Sequence, residues 1–129
     1  MKLYWPCAVY VDKNGEEEYL STYESHLNLD RARNVFRTWR QGYGFKLIRC
    51  WIDVYENGIK IGFDKTLFNE ATRYALQYCN REGRCWKMEK PDCPFIDICR
   101  MDVEQIGEHR KDLFFESSFV ARYLELIGG

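Results

Sequence analysis

The sequence contains no apolar run approaching the roughly 20 residues that a membrane-spanning helix needs, so no membrane association is expected. It also lacks an excess of either charge. Lys and Arg number 19 against 20 Asp and Glu, which excludes a global polycation for nucleic acid or membrane and leaves only a local patch open. Histidine is scarce: His26 and His109 are the only two, and neither sits at a metalloprotease or zinc-hydrolase spacing. There is no P-loop, no G-x-G-x-x-G after a strand and no G-x-S-x-G elbow. Without a nucleophile–base pair or a metal constellation, the expectation is a protein that is not an enzyme. The run Met1-Lys2-Leu3-Tyr4-Trp5-Pro6-Cys7 carries one cation and no long apolar stretch, which predicts no secretory leader and a cytoplasmic location.

What is present is a chain of 129 residues, 46% hydrophobic and 16% aromatic. That is enough to bury one core, so a single domain over 1–129 is expected and disorder is not. Leu3, Trp5, Cys7, Val9 and Val11 alternate with Tyr4, Pro6, Ala8 and Tyr10, a period of two that predicts a strand. Pro6 cannot donate to a ladder and suggests an edge or a bulge. Asp12-Lys13-Asn14-Gly15 reads as a hairpin turn into a second strand over 18–24.

Asn28 or Asp30 can cap a helix to about 41, whose apolar residues Ala32, Val35, Phe36 and Trp39 fall on one face. Residues 45–55 follow as a long strand. Glu56-Asn57-Gly58 turns it into a fourth strand through Ile59, Ile61 and Phe63. A helix over 67–79, with Thr66 as its cap, and a last helix over 112–127 complete the chain. The predicted fold class is α+β: a four-stranded antiparallel sheet in ββαββα order with helices on one face, a Cys-rich knuckle and a C-terminal helix.

Four of the six cysteines, Cys79, Cys85, Cys93 and Cys99, fall in the pattern C-x5-C-x7-C-x5-C, which makes 79–100 the knuckle. In a reducing compartment, clustered thiols read as ligands before disulfides. One tetrahedral zinc would replace the core that this polar, turn-rich segment lacks. An iron–sulfur cluster, disulfides and plain buried thiols stay open, because the spacing is less specific than paired C-x2-C. Cys7 and Cys50 read as small core residues.

If Ile48, Cys50, Ile52 and Val54 point inward, Leu47, Arg49, Trp51, Asp53 and Tyr55 point outward. Tyr4 and Tyr10, with Tyr19 or Tyr23, are expected to join that outer face. So aromatic a surface needs a cover. Three covers are open: the C-terminal helix, another subunit of a homo-oligomer, or stacked nucleobases. Between 29 and 49 the cations Arg31, Arg33, Arg37, Arg40, Lys46 and Arg49 face one anion, Asp30. Arg33, Arg37 and Arg40 share a helix face, which is either a solvated surface or an anion site.

The stretch from Leu29-Asp30-Arg31-Ala32-Arg33-Asn34-Val35-Phe36 through Cys50-Trp51-Ile52-Asp53-Val54-Tyr55-Glu56-Asn57-Gly58 resembles small phage and prophage proteins of Gram-positive bacteria. Cys93-Pro94-Phe95-Ile96-Asp97-Ile98-Cys99 is similar to the short cysteine knuckles of such proteins. The resemblance covers about half of the chain and carries no catalytic residue across. It implies an accessory protein of a mobile element, a class that includes blockers of host defence enzymes and traps for their nucleotide signals.

The expected function is therefore stoichiometric binding of a host protein or of a nucleotide-like anion. Arg33, Arg37, Arg40, Arg49, Trp51 and Tyr55 are the contact candidates. The alternative is a zinc-stabilised module that binds single-stranded nucleic acid or serves transcription.

Overall fold

The fold is that of a computed structural model, which describes residues 1–21, 28–78, 94–95, 97–98 and 111–128, without the side chains of 78 and 111–115. Its elements run β1 (Lys2–Val11), β2 (Glu17–Ser21), α1 (Leu29–Arg37), β3 (Lys46–Glu56), β4 (Ile59–Phe63), α2 (Thr66–Ala75) and α3 (Lys111–Ile127). A π-helical turn, Thr38–Gly42, extends α1, and a 3-10 turn, Leu76–Tyr78, extends α2. The strands form one antiparallel sheet in the order β2-β1-β3-β4. The α+β class and the ββαββα order thus follow the sequence expectation. The knuckle cysteines Cys79, Cys85, Cys93 and Cys99 lie outside the described residues.

Local chemistry sets the turns. Asp12 Oδ1 accepts from the backbone N–H groups of Asn14 (2.8 Å) and Glu16 (2.9 Å), and Gly15 takes φ 81° to close the first hairpin. In the second hairpin both Asn57 (φ 53°) and Gly58 (φ 81°) are left-handed, the pair of angles that a two-residue hairpin requires. Asn28 caps α1 by accepting from Asp30 N–H at 2.7 Å. At α2 the N-cap position is Lys65 rather than Thr66, and the residue before it, Asp64, holds the first turn. The Asp64 carboxylate accepts from both the backbone N–H (3.0 Å) and the hydroxyl (3.1 Å) of Thr66.

The helices pack on one face of the sheet. Ala8, Leu47, Cys50 and Ile52 from the strands join Ala32, Phe36 and Trp39, Leu67 of α2, and Val120, Ala121 and Leu124 of α3 in one buried cluster. A second cluster sits between α2 and α3: Ala71, Ala75, Phe95, Ile98 and Phe119. The Phe95 and Phe119 rings stack there at 4.3 Å. Alanines mark the places where helix backbone comes close to the sheet. Ala8 and Ala32 are fully buried and Ala121 is 2% exposed.

Several sequence readings are corrected here. The C-terminal helix does not cover the outer face, since Val120, Ala121 and Leu124 pack with Cys50 and Ile52 on the inner one. Tyr4 and Tyr10 also belong inside. They lie opposite Val54 and Leu47 and pack against the main cluster. Leu47 itself, expected outward, is 4% exposed in the core. A bulge causes this: Val9 pairs with Arg49 while Tyr10 pairs with Leu47, so Ile48 is skipped and the alternation resets. Pro6 lies in a central strand rather than an edge strand. Among the described residues the β1–β2 ladder begins at Cys7, and Pro6 pairs with Ile52 of β3.

Candidate functional site

With the helices on one side, the opposite face of the sheet carries Trp5, Cys7 and Val9 of β1, Tyr19 and Ser21 of β2, and Arg49, Trp51, Asp53 and Tyr55 of β3. Cross-strand partners share a face, and the register pairs Trp5 with Asp53, Cys7 with both Ser21 and Trp51, and Val9 with both Tyr19 and Arg49. The rings of Trp5 and Tyr55 meet at 5.8 Å, and those of Tyr19 and Trp51 at 6.1 Å. Among the described residues no helix packs over them, and Tyr19 is 62% exposed.

Cys7 sits at the centre of this face, 1% exposed beneath the rings. The Tyr19 hydroxyl donates to its Sγ at 3.4 Å. The thiol in turn lies 3.6 Å from both Asp53 Oδ2 and the Trp5 carbonyl. Burial pushes the Cys7 thiol up to about 11, with Asp53 adding to the rise against the Tyr19 hydrogen bond. Burial, with the hydrogen bond to Cys7, also raises the Tyr19 phenol to about 12. Both groups are therefore neutral at physiological pH, and Cys7 is a poor nucleophile. A depression of about 160 Å³ opens here, lined by Trp5, Cys7, Tyr19, Ser21, Asp53 and Tyr55.

The structure divides the sequence-predicted contact residues. Arg49, Trp51 and Tyr55 share the outer face, with Arg49 ion-paired to Glu17 across the strands. Arg33 and Arg37 lie on the helical side, where they line a cleft of about 240 Å³ with Asp30, Asn34, Leu124 and Ile127. Arg33 is tied to Glu70 of α2 at 2.9 Å. Arg40 leaves the row. Its Nε and Nη2 atoms are buried with no hydrogen-bond partner among the described residues, and its charge partly offsets the upward push of burial on the Cys50 thiol. The Arg33, Arg37 and Arg40 periodicity is thus real along the helix but does not converge on one ligand position.

A further cleft of about 270 Å³ runs between β3 and α3, past Lys46, Arg49, Ser118, Arg122 and Glu125. Arg122 grips Asp97 there through two nitrogens at 2.8 and 2.7 Å and also donates to the Pro94 carbonyl. The hydrogen bonds from Arg122 hold the Asp97 carboxyl below its ordinary range.

Among the described residues, Asp12, Glu16 and Glu18 form a grouping close enough to share a metal ion. Asp12 is engaged in the turn, and Glu16 and Glu18 are exposed. The four thiols expected to hold zinc lie outside the described residues.

Trp5 and Cys7 are outer-face residues that the sequence pattern did not single out. Both parities of β1 are apolar, so alternation alone could not orient the strand. The available signal was size: Pro6 and Ala8 leave room for helices, whereas Trp5 does not. Compared with known proteins, the chain matches no family model, no curated protein and no solved structure.

Proposed function

We propose that this chain is a non-enzymatic accessory binding protein that acts stoichiometrically by docking a host protein on the outer face of its sheet. The observation that carries the reading is the cluster of Trp5, Tyr19, Trp51 and Tyr55 on a face to which the described helices contribute nothing. Aromatic residues with a neighbouring Arg characterise the centres of protein interfaces. Tyr and Trp give large contact areas at a small cost in side-chain entropy.

A protein partner is favoured over a nucleic acid by the charges. Arg49 is neutralised by Glu17 and Lys60 stands against Asp53, so among the described residues the rings are not accompanied by a basic track of the kind that follows a phosphate backbone. The phage or mobile-element setting, the counter-defence role and a cytoplasmic location belong to this proposal through the sequence resemblance. For the chain itself, no helix among the described residues is long and apolar enough to cross a membrane.

The test is native mass spectrometry of the chain purified without chelator from cells that supply the host proteins. Wild type is compared with Trp51→Ala and Arg37→Ala. A protein of fixed one-to-one mass, lost with Trp51→Ala and kept with Arg37→Ala, supports the reading. A nucleotide-sized increment, salt-sensitive nucleic acid, or a complex indifferent to Trp51→Ala overturns it. A zinc-sized increment would report separately on the knuckle thiols.

A further inference from the structure

We propose that the depression between Trp5, Tyr19 and Tyr55 is a site for an organic cation, the guanidinium or ammonium head of a basic side chain on the docked protein. This deepens the docking reading above and rests on it for the source of the cation.

Asp53 carries most of the inference. Its side chain is 14% exposed, in the floor of a depression otherwise lined by Trp5, Tyr19, Tyr55, Ser21 and the Cys7 thiol. Its Oδ1 is buried and accepts no hydrogen bond from any described residue. Its Oδ2 faces a thiol, a weak donor, at 3.6 Å. A carboxylate so placed has lost its water, and what is set against it among the described residues is the ion pair of its Oδ1 with Lys60 at 3.4 Å. Trp5, Tyr19 and Tyr55 line the same depression, and an aromatic face carries the negative end of the ring quadrupole, which also attracts a cation.

The chain itself supplies an example of this chemistry. Lys60 of the edge strand β4 places its Nζ 3.4 Å from Asp53 Oδ1 and 4.6 Å from the centroid of the Phe63 ring. Lys60 is 42% exposed, so its flexible stem can swing into water and yield the carboxylate to an incoming cation.

The alternatives fit less well. An anion would meet Asp53, and the nearby guanidinium of Arg49 already has Glu17. A bare metal ion would find one carboxylate, a protonated thiol and ring faces, too few donors to replace its hydration. A neutral aliphatic group would leave the carboxylate under-solvated. A volume of about 160 Å³ suits the head of one side chain rather than a whole nucleotide.

The experiment is a titration of the full chain, followed by two-dimensional amide NMR and tryptophan fluorescence. The probes are N-acetyl-arginine amide, N-acetyl-trimethyllysine amide and the neutral N-acetyl-norleucine amide. Saturable shifts at Trp5, Tyr19 and Asp53 are expected with the cationic probes and not with norleucine. Asp53→Asn should weaken binding at least tenfold. Lys60→Met, an exposed change that spares the fold, should tighten it several-fold by removing the internal competitor.

Absence of a saturable shift with both cations in wild type and in Lys60→Met overturns the proposal, as does equal binding of norleucine. If Asp53→Asn fails to fold, the Lys60→Met comparison decides alone. A partner that is lost with Trp51→Ala but indifferent to Asp53→Asn would overturn the cation site and leave the docking face standing.

Discussion

Tyr10 lies opposite Leu47 across the β1–β3 ladder, while its neighbour Val9 lies opposite Arg49. Two residues of β1 therefore meet three of β3, and Ile48 is left between them. Leu47 and Cys50, three apart, both end in the core at 4% and 0% exposure. Strict alternation would have put Leu47 outside and Ile48 inside. Leu47→Ala should accordingly cost about 2–5 kcal/mol, as buried Leu deletions do, and Ile48→Ala clearly less. Chemical denaturation of the two variants checks this, and the reverse ranking would refute the bulge.

Neighbouring residues on β3 should likewise separate stability from binding. Ile52 is 1% exposed beneath the helices, and Trp51 is half-buried on the other face. Ile52→Ala should lower stability by about 2–5 kcal/mol. Trp51→Ala should cost less, because its packing partners on that face include the exposed ring of Tyr19 rather than the core. Paired denaturation curves would show it. A Trp51→Ala loss as large as that of Ile52→Ala would mean that the ring serves the fold.

The thiols of Cys7 and Cys50 predict an alkaline weakness. The native Cys7 thiol titrates at about 11 against an ordinary 9.0, and burial raises Cys50 as well. Below the ordinary value both states keep the proton and nothing changes. Between the ordinary and the native values the unfolded chain ionises and the native one does not, so stability falls as pH rises. Denaturation midpoints should drop from about pH 8.5 to about pH 10.5, with part of the drop removed in Cys7→Ala. Alkylation of native protein near pH 8 should spare both residues, read by peptide mass spectrometry. Rapid labelling of Cys7 would contradict its burial.

Arg40 offers a different lever. Two of its guanidinium nitrogens are buried with no hydrogen-bond partner among the described residues, and a desolvated charge with donors left unmatched is a standing cost. Arg40→Met keeps the apolar stem and removes that charge. Its stability should be unchanged or raised. A loss exceeding about 2 kcal/mol would mean that the guanidinium is compensated in the folded chain.

Much of the fold was legible one residue at a time. Asn57-Gly58 can take two consecutive left-handed angles, Asn28 can cap a helix, and Ala32, Phe36 and Trp39 recur on one helical face. Each of these depends on bonds or spacings within a few residues. The outward placement of Arg49, Trp51, Asp53 and Tyr55 followed from the period of two, and so did Cys50, Ile52 and Val54 inside.

Three things needed the tertiary structure. The orientation of β1 was undetermined because both of its faces are apolar, and the packing of Ala8 with residues of the helices settled it. The bulge at Ile48 arises from matching two strands, which neither strand encodes alone. The side taken by α3 depends on the sum of contacts that Val120, Ala121 and Leu124 make across the chain. The sequence alone determined which segments could form strands, turns and helices, because those preferences are local. Only the packed structure decided which aromatic face the described helices leave uncovered, because that choice is made by whole elements competing for the same core.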